Sequence, residues 1–276
     1  MYETYWGLKE KPFENTPDPK FMYYSSRHEE ALARILYGIR EGKGAVMLTG
    51  DYGSGKTVLS RIVINGLLKG KEYEVALLTH PYLTSAQLIQ EIFYQLTGDY
   101  RKMPKAQMIH EFQNVIYKNF SANKRTVLIV DEAQIIKHKE TFDELRLLLN
   151  FQHDDRFFVT LVLIGQPELR QKVATMPQLA QRLAVTYHLT GLGRDEVAKY
   201  VNHRLNVAGR ASEIFTPSAV DAICDYSGGI PRKINNICDM ALFMGFGSEL
   251  KNIDIDFMKK VGDDMTMEIA QYAQNG

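Results

Sequence analysis

Residues 50–57 read Gly-Asp-Tyr-Gly-Ser-Gly-Lys-Thr and follow directly on the apolar run Ala45-Val46-Met47-Leu48-Thr49. A strand that runs into a Gly-x-x-x-x-Gly-Lys-Thr loop and then into a helix constrains the fold more than any other feature of the chain. Such a loop cradles a polyanion by turning several backbone N–H groups inward, and the tight points of that turn have no room for a Cβ. Gly50, Gly53 and Gly55 meet that need. Lys56 is then placed to reach the outer phosphates and the Thr57 hydroxyl to ligate Mg²⁺. The helix that starts here turns its positive dipole end toward the anion. The expected ligand is a nucleoside triphosphate with Mg²⁺, bound by Gly50, Asp51, Tyr52, Gly53, Ser54, Gly55, Lys56, Thr57 and Val58.

Around this loop, strand-like and helical patterns alternate. Apolar runs at 45–49, 74–79, 126–130 and 158–164 predict strands, separated by segments long enough for one or two helices each. The runs are continuous rather than alternating, which implies burial on both faces and therefore a parallel sheet between helical layers. From Arg27, the positions Ala31, Leu32, Ile35, Leu36 and Ile39 repeat at helical spacing and stop at Gly42. After Leu189 the strand signals fade. Helices are predicted over 195–207, 217–226 (opened by Thr216-Pro217), 231–246 and 254–261.

The predicted organisation is a three-layer α/β nucleotide-binding domain over 1–189, a small all-helical lid over 190–264 and a C-terminal tail over 265–276. Residues 1–24, rich in aromatics and proline (Tyr5, Trp6, Pro12, Phe13, Pro17, Pro19, Phe21, Tyr23, Tyr24), predict an ordered, irregular segment laid over the α/β body.

The strand Thr126–Val130 ends in Asp131-Glu132. Parallel sheets bind ligands at the carboxyl ends of their strands, so both acids fall beside the loop. Asp131 is the candidate Mg²⁺ partner, with Thr57. Glu132 is the candidate base that polarises the attacking water. The next strand ends in Gly165-Gln166-Pro167, and the Gln166 amide is a candidate water-orienting or γ-phosphate-sensing group.

Composition limits the rest. Lys plus Arg equals Asp plus Glu at 33 each, so any basic surface is local; Lys102, Lys105, Lys118, Lys124 and Arg125 form one such stretch. The only cysteines, Cys224 and Cys238, lack metal-ligand or disulfide-framework spacing and predict two buried free thiols in a reducing compartment. The start lacks the pattern of a secretory signal, and the longest apolar run is under half the length of a membrane span, so the expected location is cytoplasmic.

Taken together and in order, these motifs resemble the AAA+ ATPases, and within them the ExeA/GspA group of bacterial general-secretion-type ATPases. The resemblance covers nearly the whole chain. It is carried by Tyr5-Trp6-Gly7-Leu8-Lys9-Glu10-Lys11-Pro12-Phe13, Thr16-Pro17-Asp18-Pro19-Lys20-Phe21, Ser26-Arg27-His28-Glu29-Glu30-Ala31-Leu32, Asp131-Glu132-Ala133-Gln134, Leu163-Ile164-Gly165-Gln166-Pro167-Glu168-Leu169 and Gly228-Gly229-Ile230-Pro231-Arg232.

The resemblance implies an ATPase whose sites form between subunits of a homo-oligomeric ring or filament. It would act as an assembly motor or switch with a protein partner in a secretion, pilus or exopolysaccharide system, at the inner face of the membrane through such partners. The resemblance also implies an arginine finger at Arg182, with Arg170 as runner-up, and a second sensor at Arg232, beside Pro231 in the lid. It sets the opening segment near the adenine, with Phe13, Tyr24 and His28 as contacts. Group members often carry an asparagine after the second strand that restrains the catalytic glutamate; here His80 stands there, either as a pH-sensitive equivalent or as a plain loop residue.

Secretion members continue into a membrane span and a peptidoglycan-binding region, so the chain reads either as a free-standing relative or as the ATPase part of a longer protein. The alternative function is an ATP-gated DNA-binding scaffold, since transposition regulators share this core.

Overall fold

The computed structural model describes residues 1–16, 18–153 and 156–274; Pro17, in the opening signature, lies outside them. The four predicted strand runs appear as β1 (Ala45–Gly50), β2 (Tyr73–Leu78), β3 (Arg125–Val130) and β6 (Val159–Gly165). A further strand, β7 (Leu183–Leu189), joins them in a five-stranded parallel sheet of order β2-β3-β6-β1-β7. Every residue of β1 and β6 is buried, as continuous apolar runs require.

Strand β7 was not anticipated, because on this edge only one face meets the core. Its Ala184 and Thr186 are exposed, and its run is broken by Thr186 and His188. A two-residue antiparallel pair, β4 (Gln152–His153) with β5 (Arg156–Phe157), is too short to carry any periodicity in the sequence.

The chain divides into two compact units. One comprises His28–Asp51 and Lys56–Leu189 and holds the sheet. Its core packs Met47, Leu128, Val130, Leu161 and Leu163 of the sheet against Leu88, Ile92, Phe112, Leu145 and Leu169 from the helices Ser85–Thr97, Lys105–Ser121, Lys139–Leu148 and Pro167–Ala174. The register sets the strand ends side by side: Thr49 of β1 pairs with Gly165 of β6, and Leu163 of β6 with Val130 of β3. The tip of β6 therefore stands between the loop that leaves β1 and the acids that follow β3.

The other unit comprises Met1–Arg27, Tyr52–Gly55 and the chain from Thr190 on. Its longer helices are Arg194–Val207, Pro217–Ser227, Pro231–Gly247 and Ile255–Gln274. The C-terminal stretch from 265, expected either as a frayed helix or as a disordered tail, continues this last helix as far as Gln274; residues 275–276 lie outside the described residues.

The opening segment, expected with the α/β domain, belongs to the helical unit. Trp6 is 1% exposed and its indole N–H donates to Leu242 O at 2.9 Å. The buried Arg204 guanidinium donates to Pro12 O at 2.5 Å and Glu14 O at 2.9 Å. Phe13 stands edge-on to Phe215 in the same core, which removes it as an adenine contact. The physical reason is area: a few short helices bury little apolar surface by themselves, and Tyr2, Trp6, Leu8, Phe13 and Phe21 supply the missing core.

The candidate nucleotide site

The helix Lys56–Lys69 begins on the last residues of the loop. Gly53 and Gly55 have φ of 80° and 100°, in the left-handed region where a side chain is strained, so both glycines are required by the backbone. Lys56 is buried, and its ammonium donates to Gly50 O at 2.7 Å and Asp51 O at 2.8 Å. Burial holds its pKa below the usual lysine range, against the pull of Glu132 and Asp131. A desolvated ammonium resting on neutral carbonyls fits an anionic ligand, whose phosphate oxygens are stronger acceptors.

Asp131 is also buried, and its backbone N–H donates to Leu78 O at 2.9 Å. Burial pushes its carboxyl above the usual range; hydrogen bonds from the Glu132 N–H and the Thr57 hydroxyl pull the other way. Thr57 and Asp131, the pair predicted to serve Mg²⁺, are thus neighbours. Hydroxyl plus one carboxylate suits an ion that keeps several waters and takes its other ligands from phosphates. Among the described residues no group of three or more His, Cys, Asp or Glu forms a dedicated metal cage.

Replacing Asp131 with Asn tests the burial. The carboxyl is raised in the folded chain, so ionised Asp131 is held at a cost at neutral pH that disappears as pH falls through the raised value. Asp131→Asn therefore raises the melting midpoint at pH 7, by about 2–4 °C for each kcal/mol relieved, and the gain vanishes in acid. A midpoint lowered at pH 7 would contradict this.

Glu132 is half-buried with φ 52°, one of three non-glycine residues in the left-handed region among the described residues. Its carboxylate accepts a hydrogen bond from the Gln134 side-chain amide. Gln166 stands at the N-cap position of the helix Pro167–Ala174, at the tip of β6, without a side-chain capping bond, and its backbone N–H donates to Gln134 Oε1 at 3.1 Å. Lys56, Thr57, Asp131, Glu132 and Gln166 thus lie at the carboxyl ends of β1, β3 and β6.

His80 is exposed, and the donor that reaches Glu132 is Gln134. Gln134 is the last residue of the Asp-Glu-Ala-Gln motif, and its amide two residues beyond the acid is the sequence signal for this contact.

Arg182 is half-buried, with its guanidinium on Asn150 Oδ1 at 3.1 Å and 5.8 Å from the Phe157 ring centre; Arg170 is exposed. In the helical unit, the backbone N–H of Arg232 donates to Gly53 O at 3.3 Å and its guanidinium lies 4.7 Å from the Tyr52 ring centre. A Cβ on Gly53 would meet Arg232 Cβ at 2.5 Å, so this glycine also permits the close approach. Pro231 opens the same helix, half-buried, and Ser54 is buried. Of the two thiols, Cys238 is buried and Cys224 only half-buried.

Comparison with known proteins follows the same lines. The model of an AAA domain family matches residues 39–173. General secretion pathway protein A of Aeromonas hydrophila is 42% identical over 249 residues, which is 89% of this chain and 45% of that protein. The chain thus spans less than half the length of this curated relative.

Similar solved structures include the Aeropyrum pernix ORC2 protein in ADPNP and ADP complexes (TM-score 0.64, 18% identity, 92% of this chain and 71% of that chain). Drosophila ORC bound to DNA has a TM-score of 0.67 at 20% identity, covering 92% of this chain and 64% of that one. The Thermotoga maritima RuvB Holliday junction branch migration motor has a TM-score of 0.52 at 17% identity, covering 87% and 69%. At such identities these structures speak for the fold alone. The parallel sheet, the loop geometry and the curated relative agree: the chain belongs to the AAA+ family of P-loop proteins, within the group of general secretion pathway protein A.

Proposed function

We propose that the chain is a Mg²⁺-dependent ATPase acting as an oligomeric assembly motor or switch in a bacterial secretion, pilus or exopolysaccharide system, at the inner face of the membrane through its partners. The observation that carries the reading is the convergence of Lys56, Thr57, Asp131, Glu132 and Gln166 on adjacent strand ends. The loop amides and Lys56 bind the phosphates. Thr57 and Asp131 would hold Mg²⁺, which when bound would supply positive charge beside the phosphates. Glu132 accepts the proton of the attacking water, and Gln166 orients that water or reads the γ-phosphate. Arg232, whose backbone N–H reaches Gly53 of its own unit, is the second sensor in this reading. Among the described residues no helix is long and apolar enough to cross a membrane.

Steady phosphate release that requires both ATP and Mg²⁺ tests this reading; tight ATP binding with no turnover under any partner condition would leave a nucleotide sensor instead. Arg182 tests the oligomeric part. Arg182→Ala and Glu132→Gln chains, each inactive alone, regain turnover when mixed if the arginine serves a neighbour's site. No recovery at any ratio removes the intersubunit finger.

A DNA scaffold is the weaker reading. Of the basic stretch, Lys105 is paired with the buried Glu144, Lys124 with Glu74 at 2.6 Å, and Arg125 donates to Ile39 O at 3.1 Å, which leaves Lys102 and Lys118 as the exposed lysines. ATP-dependent, salt-sensitive binding to duplex DNA would reverse this ranking.

A further inference from the structure

The amide of Gln134 has two partners of opposite kind. Its Nε2 donates to the Glu132 carboxylate, and its Oε1 accepts from the Gln166 backbone N–H at 3.1 Å. A carboxylate accepts and a backbone N–H donates, so the amide cannot be flipped end for end without losing both bonds. The approach to the β6 tip depends on Gly165, since a Cβ there would come 2.6 Å from Gln134 Oε1. The short 3₁₀ turn Ala133–Ile135, which carries Gln134, is itself anchored: the Lys172 ammonium donates to Gln134 O and, at 3.0 Å, to Ile136 O. Glu132 enters this turn in the left-handed conformation, which bends the chain so that the side chain two residues on returns to the acid.

We propose that Gln134 is a positioning residue: it fixes the Glu132 carboxylate to the tip of the β6 strand, so that the orientation of the base follows the position of Gln166. A displacement of the Gln166 backbone pulls on Gln134 Oε1, and the Nε2 that holds Glu132 moves with it. The proposal rests on the reading of Glu132 as the base.

Three variants test it, with ATP affinity and the melting midpoint as controls for folding. Gln134→Ala deletes both bonds. Gln134→Glu keeps the size but sets a second carboxylate against Glu132. Gly165→Ala leaves Gln134 in place and crowds its Oε1. Each is expected to lower kcat by roughly 10- to 100-fold with KM for ATP little changed, the mark of a base held off its working geometry. In a Glu132→Gln background, Gln134→Ala is expected to add no further loss, because the group it positions is gone.

Wild-type kcat in both Gln134 variants, alongside an inactive Glu132→Gln, would overturn the positioning role and leave the base assignment standing. A loss confined to ATP affinity, or a full additional loss in the Glu132→Gln background, would overturn it as well. Undiminished turnover in Glu132→Gln itself would remove the base and this inference with it.

Discussion

Lys56→Ala is expected to abolish nucleotide binding, weakening affinity by about 100-fold or more, which corresponds to roughly 3 kcal/mol. The size follows from where the ammonium sits. It is buried, and its hydrogen-bond partners are the loop's own carbonyls, Gly50 O and Asp51 O. The desolvation of this charge is therefore already met in the folded chain, as its lowered pKa records. A phosphate reaching the loop meets a preorganised cation and needs little further reorganisation; such charge-assisted contacts typically cost 2–5 kcal/mol or more when one partner is truncated. Titration with ATP, followed by calorimetry or a fluorescent analogue, measures the loss. Tight binding by the variant, with a normal melting midpoint, would overturn the loop as the phosphate site.

Glu132→Gln is expected to leave ATP binding intact and to lower turnover by about 10² to 10⁴, the range of general-base contributions. Shape is conserved: Gln is no more strained than Glu at φ 52°, and its amide oxygen still accepts from the Gln134 Nε2. What changes is the chemistry, since an amide cannot take up the proton of the attacking water. Phosphate release at saturating ATP and Mg²⁺, set against direct binding, separates the two effects. Undiminished hydrolysis would sink the assignment of Glu132 and return attention to other acceptors at the strand ends.

How far the site was legible in the sequence differs from residue to residue. The loop and the acids after β3 declare themselves because each belongs to one short segment whose chemistry is local: glycines for left-handed turns, a lysine at the helix start, carboxylates at the end of an apolar strand. Gln134 was visible as a letter in a motif but not as a partner of Glu132, because the contact exists only once Glu132 turns left-handed and Gly165 comes alongside. The resemblance leaves His80 open between a partner for the glutamate and a plain loop residue; it is exposed, and Gln134 supplies the hydrogen bond. The basic stretch is not one free surface: Lys105, Lys124 and Arg125 are spent singly on Glu144, Glu74 and a backbone carbonyl, and Lys102 and Lys118 remain exposed.

By itself, then, the sequence determined the layered α/β class, four of the sheet's strands, the helical C-terminal region and the loop, since apolar periodicity and glycine placement act over a few residues. The tertiary structure decided what depends on distant neighbours. The half-exposed β7 is a strand because β1 offers it an edge. The aromatic opening segment joins the helical unit because Arg204 and Leu242 satisfy its carbonyls and indole there, while its rings complete a core those helices lack. Burial, shared hydrogen bonds and strand order are properties of the packed chain, and no window of sequence contains them.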